Sequence, residues 1–361
     1  MNLDLPDSVN MDSLLGLPVY DLTAQQKNSV LFQWLLKLTH LHILHCPEYA
    51  RLLQYIAPDS IPTIEDIPPV AVRLFKELSL KSISEESIVK TLYSSGTSGQ
   101  PSTIYLDGVT AKLQSQILVK ILQHWLGKAR RPMLLIDSPT TIQKGAGMTA
   151  RAAGLQGLSF FGRDHTYALD ENMQLNVPVV QAFFERYQGQ SILLFGFTFM
   201  VWQHFIQALQ DQQVRFNCTD AVLLHGGGWK KLQDKAVSNS DFKEAIQQQL
   251  GQVRVQDYYG MVEQTGSIYM ECEQGYLHCP VWSDVVMRRT ADLSVCNQNE
   301  VGLIQVNSIL AHSYPGHCLL TEDLGQIIGE DDCQCGRKGK YFQVLGRVPS
   351  AEVRGCSDTF A

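Results

Sequence analysis

Tyr93-Ser94-Ser95-Gly96-Thr97-Ser98-Gly99-Gln100-Pro101-Ser102 is the stretch on which the interpretation of the whole chain depends. It follows an apolar and β-branched run at residues 89–93, which predicts a strand. Its two glycines permit a tight turn with exposed backbone N–H groups, and its hydroxyls add donors. The pattern suits a polyphosphate-binding loop, although a turn this rich in serine and glycine, taken alone, is more often a plain surface loop. It is not a Walker A loop, because the lysine of that motif is missing.

The sequence beyond this turn alternates short apolar runs with longer amphipathic stretches. The runs predict strands at residues 89–93, 133–136, 191–194, 221–224 and 253–257. The stretches predict helices at residues 109–126, 177–188, 198–211 and 241–250. Strand, turn and helix in succession predict an α/β fold with much parallel sheet. After about residue 265 the helical pattern fades, and strands are predicted at residues 285–287, 302–307, 326–328 and 342–345.

The N-terminal part of the chain predicts helical structure. Residues 24–44 carry apolar side chains at helical spacing, which indicates an amphipathic helix. A proline-rich joint follows, with prolines at positions 58, 62, 68 and 69. The whole pattern predicts three regions: an N-terminal helical segment at 1–90, an α/β nucleotide-binding core at 91–265, and a β-rich subdomain at 266–361.

Composition excludes several classes of protein. Of the 361 residues, 45% are hydrophobic and only 18% are charged, which excludes a disordered chain. The net charge of −7 argues against general nucleic-acid binding. No apolar stretch is long enough for a membrane span, and the acidic N-terminus is unlike a secretory signal. Nine cysteines are an odd count for a disulfide framework, so we expect a cytoplasmic protein with thiol or metal chemistry.

Further turns downstream carry chemistry of the same kind. Leu224-His225-Gly226-Gly227-Gly228-Trp229 lies at a predicted strand end, where a glycine run lets a flat ring approach the backbone. Three more segments follow in order: Asp257-Tyr258-Tyr259-Gly260-Met261-Val262-Glu263, Leu320-Thr321-Glu322-Asp323-Leu324-Gly325 and Gly346-Arg347. Each segment alone is compatible with an ordinary turn or solvated loop.

Together these segments resemble the motifs of the adenylate-forming superfamily, which makes acyl-AMP from ATP and a carboxylic acid. The resemblance implies the large N-terminal domain of those enzymes, with mixed and parallel sheets flanked by helices. It implies ATP contacts at Ser94, Ser95, Gly96, Thr97, Ser98, Gly99, Gly226, Gly227, Gly228, Tyr258, Tyr259, Gly260, Asp323 and Arg347. It also implies that Glu263 holds Mg²⁺ as a catalytic residue. Val262 departs from the family's threonine, which places one phosphate hydrogen bond in doubt.

The C-terminal end resembles the acyl-protein synthetase (LuxE-type) family, which is related to the phenylacetate-CoA-ligase-like enzymes. The sequence stops 14 residues after Arg347, so we expect the C-terminal lysine domain of ordinary acyl-CoA ligases to be absent. The resemblance implies activation of a fatty acid as acyl-AMP and transfer of the acyl group to Cys356. Onward transfer to an acyl-accepting protein, such as a fatty-acid reductase, is implied as well. A thiolate suits this step because it is a strong nucleophile near neutral pH.

Two other functions are compatible with the same residues. The chain could be an acyl- or aryl-CoA ligase that uses a separate C-terminal domain. It could also be a non-catalytic acyl- or nucleotide-binding partner, because the lysine is missing and Val262 and Ser102 depart from the usual motifs. Carboxylate-dependent exchange of pyrophosphate into ATP separates these alternatives.

Cysteine and histidine spacing predicts a structural zinc site. Five residues separate Cys272 from His278, and Cys333 and Cys335 form a Cys-x-Cys pair 54 residues further on. Two short ligand pairs on two turns suit tetrahedral zinc with three thiolates and one imidazole. Cys279 could replace one of these ligands, and unrelated cytosolic thiols are the alternative. Some phenylacetate-CoA-ligase-like relatives bind zinc through similar pairs.

Aromatic residues around the predicted strand ends suggest part of an acyl pocket. They include Phe195, Phe197, Phe199 and Trp202, although aromatic residues at strand ends are more often ordinary core. His165 and His225 are possible polar groups of such a pocket.

Overall fold

The computed structural model describes residues 11–94, 100–143, 150–229 and 237–348. Within them the chain forms two compact units, each built from separate segments. The first unit contains residues 11–91, 103–125 and 263–348. The second unit contains the described residues of 92–102 and 126–262. The three sequential regions predicted above are not tested by this division and stay a prediction.

The helices among the described residues are α1 (Met11–Gly16), α2 (Ala24–His45), α3 (Pro47–Leu52), α4 (Leu74–Glu77), α5 (Gly108–Leu126), α6 (Thr140–Gln143), α7 (Ala150–Ser159), α8 (Val177–Arg186), α9 (Thr198–Met200), α10 (Ala208–Asp211) and α11 (Asn239–Leu250). A π-helical segment, Val201–Gln207, joins α9 to α10, and Val262–Gln264 forms a 3₁₀ turn. None of these helices combines the length and apolarity that crossing a bilayer requires.

The strands are β1 (Val70–Ala71), β2 (Lys90–Tyr93), β3 (Thr103–Leu106), β4 (Arg131–Leu135), β5 (Gly162–Tyr167), β6 (Ile192–Phe197), β7 (Cys218–Gly226), β8 (Gly251–Tyr259), β9 (Tyr269–Glu271), β10 (Leu277–His278), β11 (Ser283–Arg288), β12 (Gly302–Ser308), β13 (Cys318–Glu330) and β14 (Lys340–Arg347).

The second unit contains a parallel sheet in the order β8-β7-β6-β4-β5. Every residue of β6 is buried, and β4 is buried from its second residue onward. Continuous apolar strands of this kind are typical of a parallel sheet covered on both faces. The sheet aligns the carboxyl ends of β6, β7 and β8, where ligands bind in open α/β sheets.

The first unit contains an antiparallel sheet in the order β11-β12-β13-β14-β10-β9, with β1 running parallel to β13. Helix α2 buries one apolar face, which includes Leu31, Leu35 and Leu38. Lys27 on the same helix reaches the buried Asp284 at 3.2 Å. The predicted helix at 24–44 is confirmed, and it belongs to the same unit as strands β9 to β14. The β-rich subdomain predicted at 266–361 stays a prediction. The expected α/β fold class is confirmed as well.

Candidate functional site

Phe197, Gly226 and Tyr258 lie side by side at the carboxyl ends of β6, β7 and β8. A Cβ atom on Gly226 would lie 2.4 Å from the Tyr258 ring, so only glycine lets this ring lie against β7. Gly227 then turns the chain with a φ of +81°, a conformation that favours glycine. Gly228 borders open space. The turn predicted to line adenine therefore exposes its backbone beside aromatic rings. Tyr259 ends β8, and Gly260 follows it.

The two ends of the predicted phosphate loop are tied together. The Ser94 amide donates to the Ser102 carbonyl at 3.0 Å, and the Ser102 amide donates to the Ser94 hydroxyl at 2.8 Å. The Ser94 side chain thus closes the base of the loop. The rest of the predicted loop lies outside the described residues, namely Ser95, Gly96, Thr97, Ser98 and Gly99.

Glu263 is a buried carboxylate with spare bonding capacity. Its side chain sits on the 3₁₀ turn Val262–Gln264 and is only 4% exposed. Its Oε1 atom has no hydrogen-bond partner among the described residues. A buried carboxylate oxygen without a donor is costly unless a cation or another donor reaches it. The residue therefore fits the Mg²⁺-binding role that the sequence predicts, because Mg²⁺ takes one or two carboxylates together with phosphate oxygens.

Asp323 and Arg347 are brought together by strand register. They are direct partners across β13 and β14, 24 positions apart in the chain. The Arg347 Nε donates to the Asp323 Oδ1 at 2.9 Å, and both side chains remain partly exposed. The Thr321 hydroxyl accepts from the Asp323 amide at 3.2 Å, which helps to fix the strand here. The two residues predicted to contact ribose therefore form one polar pair.

A group of four side chains forms the densest cluster of metal-binding atoms in the described part of the chain. The ligand atoms of Cys272, His278, Cys333 and Cys335 all lie within 4.8 Å of one another. The Cys272 and Cys333 sulfurs are 4.0 Å apart, and the Cys335 sulfur is 3.3 Å from the His278 Nε2. Zinc–sulfur bonds of about 2.3 Å in a tetrahedron give sulfur–sulfur edges of about 3.8 Å. The set therefore fits a zinc ion, and Cys279 is outside it.

Two tight turns hold these ligands. Gly275, with a φ of +80°, donates its amide to the Cys272 carbonyl at 2.9 Å. Gly336, with a φ of +83°, does the same for Cys333 at 2.9 Å. The turns join β9 to β10 and β13 to β14, so the sheet itself brings the two ligand pairs together.

Arg337 is a neighbour of these ligands whose contacts the spacing did not reveal. Its guanidinium donates to the Glu273 carboxylate at 2.8 Å and lies 3.7 Å above the Trp125 ring. Burial raises the pKa of the Cys335 thiol, but hydrogen bonds from Arg337 outweigh this and leave that pKa below its ordinary value. The sequence does offer a signal for this ion pair, because Glu273 directly follows Cys272 and Arg337 comes two positions after Cys335.

Cys356, the predicted acyl acceptor, lies outside the described residues. A contact that the sequence did not predict is the hydrogen bond between the Thr198 hydroxyl and the His225 imidazole at 3.0 Å. Thr198 is the first residue after β6 and His225 lies near the end of β7, and these strands are neighbours only in the folded sheet. The spacing of the two residues in the sequence therefore does not predict the contact.

The fold is that of the adenylate-forming enzymes. An open-conformation structure of 2-hydroxyisobutyryl-CoA ligase in complex with 2-HIB-AMP and CoA matches 92% of this chain and 77% of its own, with a TM-score of 0.69 and 15% identity. The same enzyme in the postadenylation state matches 91% of this chain and 69% of its own, with a TM-score of 0.70 and 14% identity. At this identity the likeness establishes the fold alone.

The family is established by a match to the acyl-protein synthetase, LuxE family over residues 4–361, and the chain belongs to that family. The long-chain-fatty-acid–luciferin-component ligase of Aliivibrio fischeri is 25% identical over 316 residues, covering 84% of this chain and 80% of that protein. The Vibrio harveyi ligase of the same name is 22% identical over 308 residues, covering 82% and 78%. The predicted family and the predicted class of AMP-forming ligase are thereby confirmed.

Proposed function

We propose that this chain activates a fatty acid with ATP and passes the acyl group through a thioester on its own Cys356 to a partner protein. The observation that supports this most directly is the buried Glu263 carboxylate with an unpartnered oxygen, in a chain of the acyl-protein synthetase family. Its curated relatives are named as ligases of long-chain fatty acids. The acceptor is proposed to be an acyl reductase.

The chemistry has two steps. A carboxylate oxygen of the acid attacks the α-phosphorus of ATP and forms an O–P bond to it. The bond from this phosphorus to the oxygen that bridges the α- and β-phosphates breaks, and pyrophosphate leaves with that electron pair. The Cys356 thiolate then attacks the carbonyl carbon, so a C–S bond forms and AMP leaves with the electron pair of the broken C–O bond. A second thiol on the partner takes the acyl group by the same exchange.

Different residues of the described chain are proposed to bind the ribose, the adenine and the Mg²⁺ ion. Asp323 accepts hydrogen bonds from the ribose hydroxyls and Arg347 holds that carboxylate in place, as their 2.9 Å contact supports. The glycine turn at 226–228 and Tyr259 receive the adenine ring. Glu263 would hold Mg²⁺, which supplies charge neutralisation at the phosphates when it is bound.

Zinc is proposed to be a structural cofactor of the same protein. Cys272, His278, Cys333 and Cys335 would fill all four positions of a tetrahedral ion, leaving none for a substrate. The role is therefore to fasten the β9–β10 turn to the β13–β14 turn. A cytoplasmic location, where these thiols stay reduced, stays a prediction.

Pyrophosphate exchange into ATP tests the activation step. Purified protein is incubated with ATP, Mg²⁺, labelled pyrophosphate and a panel of saturated acids of about 8 to about 18 carbons. We expect exchange that depends on a long-chain acid. Absence of exchange with every acid, with the acyl-accepting partner present, contradicts the proposed function.

Cys356→Ser tests the transfer step separately. The variant should keep full exchange activity but lose the hydroxylamine-labile label that wild-type protein acquires from radioactive fatty acid. Cys296→Ser, a half-buried cysteine elsewhere in the chain, is the matched control and should label normally. Equal labelling of the Cys356→Ser protein would remove this thiol from the mechanism, and AMP release that depends on coenzyme A would identify a CoA ligase instead.

A further inference from the structure

His225 lies where the three central parallel strands end. It is the last side chain before the glycine turn, and in the sheet it is level with Gly196 on β6 and Asp257 on β8. It is only 3% exposed. Its Nδ1 atom is 3.0 Å from the Thr198 hydroxyl, whereas the Asp257 Oδ1 is 3.6 Å away, beyond hydrogen-bond distance. Thr198 therefore fixes the orientation of the ring.

The other ring nitrogen of His225 is unsatisfied. Nε2 is buried and has no hydrogen-bond partner among the residues that the structure describes. Burial, and to a smaller extent the charge of Lys243, lower the pKa of this imidazole to about 3, so the ring is neutral at physiological pH. A neutral imidazole has one N–H and one lone pair. Buried polar atoms without a partner are rare in folded proteins and call for an explanation.

A cluster of three aromatic side chains begins beside the His225 imidazole. The Phe242 ring lies 4.7 Å from the imidazole, centre to centre. Trp202 and Trp229 each lie 5.9 Å from Phe242 and 5.9 Å from each other. Both tryptophans are partly exposed, and Trp202 belongs to the π-helical segment, a local geometry that is frequent at functional sites. One polar atom within an apolar wall is the composition of a small-molecule site.

We propose that His225 binds the carboxylate of the fatty-acid substrate, with its Nε2–H donating to a carboxylate oxygen and the rings of Phe242, Trp202 and Trp229 forming the start of the chain-binding wall. This inference rests on the proposed fatty-acid activation and adds a residue to it. Thr198 acts as a positioning residue, since its hydroxyl donates to Nδ1 and so places the proton on Nε2.

The chemistry of the ligand follows from the chemistry of the site. A neutral donor can approach the carboxylate without the strong ion pair that would lower the nucleophilicity of the attacking oxygen. A hydrogen bond to a charged group contributes more than a neutral one, and its loss corresponds to a change in affinity of about tenfold or more. If the His225 Nε2 contacted the adenine ring instead, its loss would alter the affinity for ATP. The test therefore measures the KM for ATP as well as the KM for the acid.

A pair of amide substitutions separates the two ring nitrogens. His225→Gln places an amide N–H near the position of Nε2, and His225→Asn places its amide near Nδ1, where Thr198 is. We expect His225→Asn to raise the KM for tetradecanoate in the exchange assay by about tenfold or more while the KM for ATP stays within about twofold. His225→Gln should stay within about threefold of wild type for both. The exposed His45→Asn is the matched control.

The opposite pattern overturns the proposal. If His225→Asn matches wild type and His225→Gln is impaired, the imidazole acts only through Thr198 as a structural residue. If the KM for ATP rises and that for the acid does not, the nitrogen faces the nucleotide. Thermal unfolding of each variant accompanies the kinetics, so that a folding defect is recognised.

NMR of the wild-type protein tests the same proposal independently of variant folding and of catalytic turnover. In protein labelled with ¹⁵N-histidine, the free state should show His225 as a neutral ring with the proton on Nε2, and tetradecanoate alone should shift that ¹⁵N resonance. A proton on Nδ1, or a spectrum unchanged by saturating acid, refutes the inference. A shift in a protein without pyrophosphate exchange would uphold this binding site while the proposed function fails.

Discussion

Removal of one residue from the proposed zinc site, formed by Cys272, His278, Cys333 and Cys335, is the most direct test of how this fold is held together. In Cys335→Ser the sulfur that lies 3.3 Å from the His278 Nε2 is replaced by a poor zinc ligand. The remaining three ligand atoms keep their positions on the two turns, but a three-ligand set binds zinc far less tightly. We expect the purified variant to contain much less than the single zinc equivalent expected of wild type.

The size of the effect follows from binding linkage. The ligand atoms already lie within 4.8 Å of one another, so the site needs little rearrangement to bind. A metal at about 1,000 times its Kd stabilises the folded state by about 4 kcal/mol. At about 2–4 °C per kcal/mol for a domain of this size, loss of the metal should lower the Tm by about 10 °C.

The assay combines metal analysis with thermal unfolding in the presence and absence of a chelator. Cys296→Ser is the control, because that thiol is also half-buried but is outside the group. Wild type and control should lose stability on chelation, and Cys335→Ser should be insensitive to it. A wild-type protein without zinc, or a Cys335→Ser variant as stable as the control, would refute the reasoning.

Three further outcomes are expected. Glu263→Gln should lower pyrophosphate exchange by about 100-fold or more without lowering the Tm, because it neutralises a buried carboxylate whose Oε1 has no hydrogen-bond partner among the described residues. A parallel loss of stability would argue for a structural role. Asp323→Asn should raise the KM for ATP about tenfold and leave the KM for the acid unchanged, and an effect on the acid instead would contradict ribose binding. Burial, with the charges of neighbouring histidines, holds the pKa of His42 well below its usual range and that of His317 at about 3. The unfolded chain therefore binds more protons below about pH 6.5, and each histidine should reduce the free energy of unfolding by about 2 kcal/mol between pH 7.5 and pH 5. Urea unfolding at the two pH values measures this, and a stability independent of pH would contradict it.

Elements with strong periodicity could be predicted from the sequence. The helix expected at 24–44 is observed at Ala24–His45, because its apolar spacing matches the face that the sheet covers. Four of the five strands of the parallel sheet were also located, although each is longer than its apolar run. Strand β5 was not predicted, because most of its residues are polar and only its first residue is buried. Strand β13 shows why: it extends from Cys318 to Glu330, yet Thr321, Glu322 and Asp323 interrupt its hydrophobic pattern at the predicted ribose site. These polar residues therefore concealed the first half of the strand, and only its second half was predicted, at 326–328.

Tertiary pairings could not be predicted in the same way. The helix expected at 198–211 contains the π-helical segment Val201–Gln207, and no 3.6-residue pattern reveals such a change of pitch. The contact between Asp323 and Arg347 depends on the register of β13 and β14, which includes two irregularities. The clustering of Cys272, His278, Cys333 and Cys335 could be predicted from their spacing, because each pair of residues lies on a short local turn. Their binding of zinc stays a prediction.

The β13–β14 hairpin carries two of the features described above at its opposite ends. Its tip holds Cys333 and Cys335, and its base holds the Asp323–Arg347 pair. The proposed zinc ion at the tip would therefore help to keep the two strands in register. A shift of the register by a single residue would turn Asp323 toward the opposite side of the sheet. If Asp323 binds ribose as proposed, oxidants or chelators that disrupt the tip should consequently weaken the affinity for ATP.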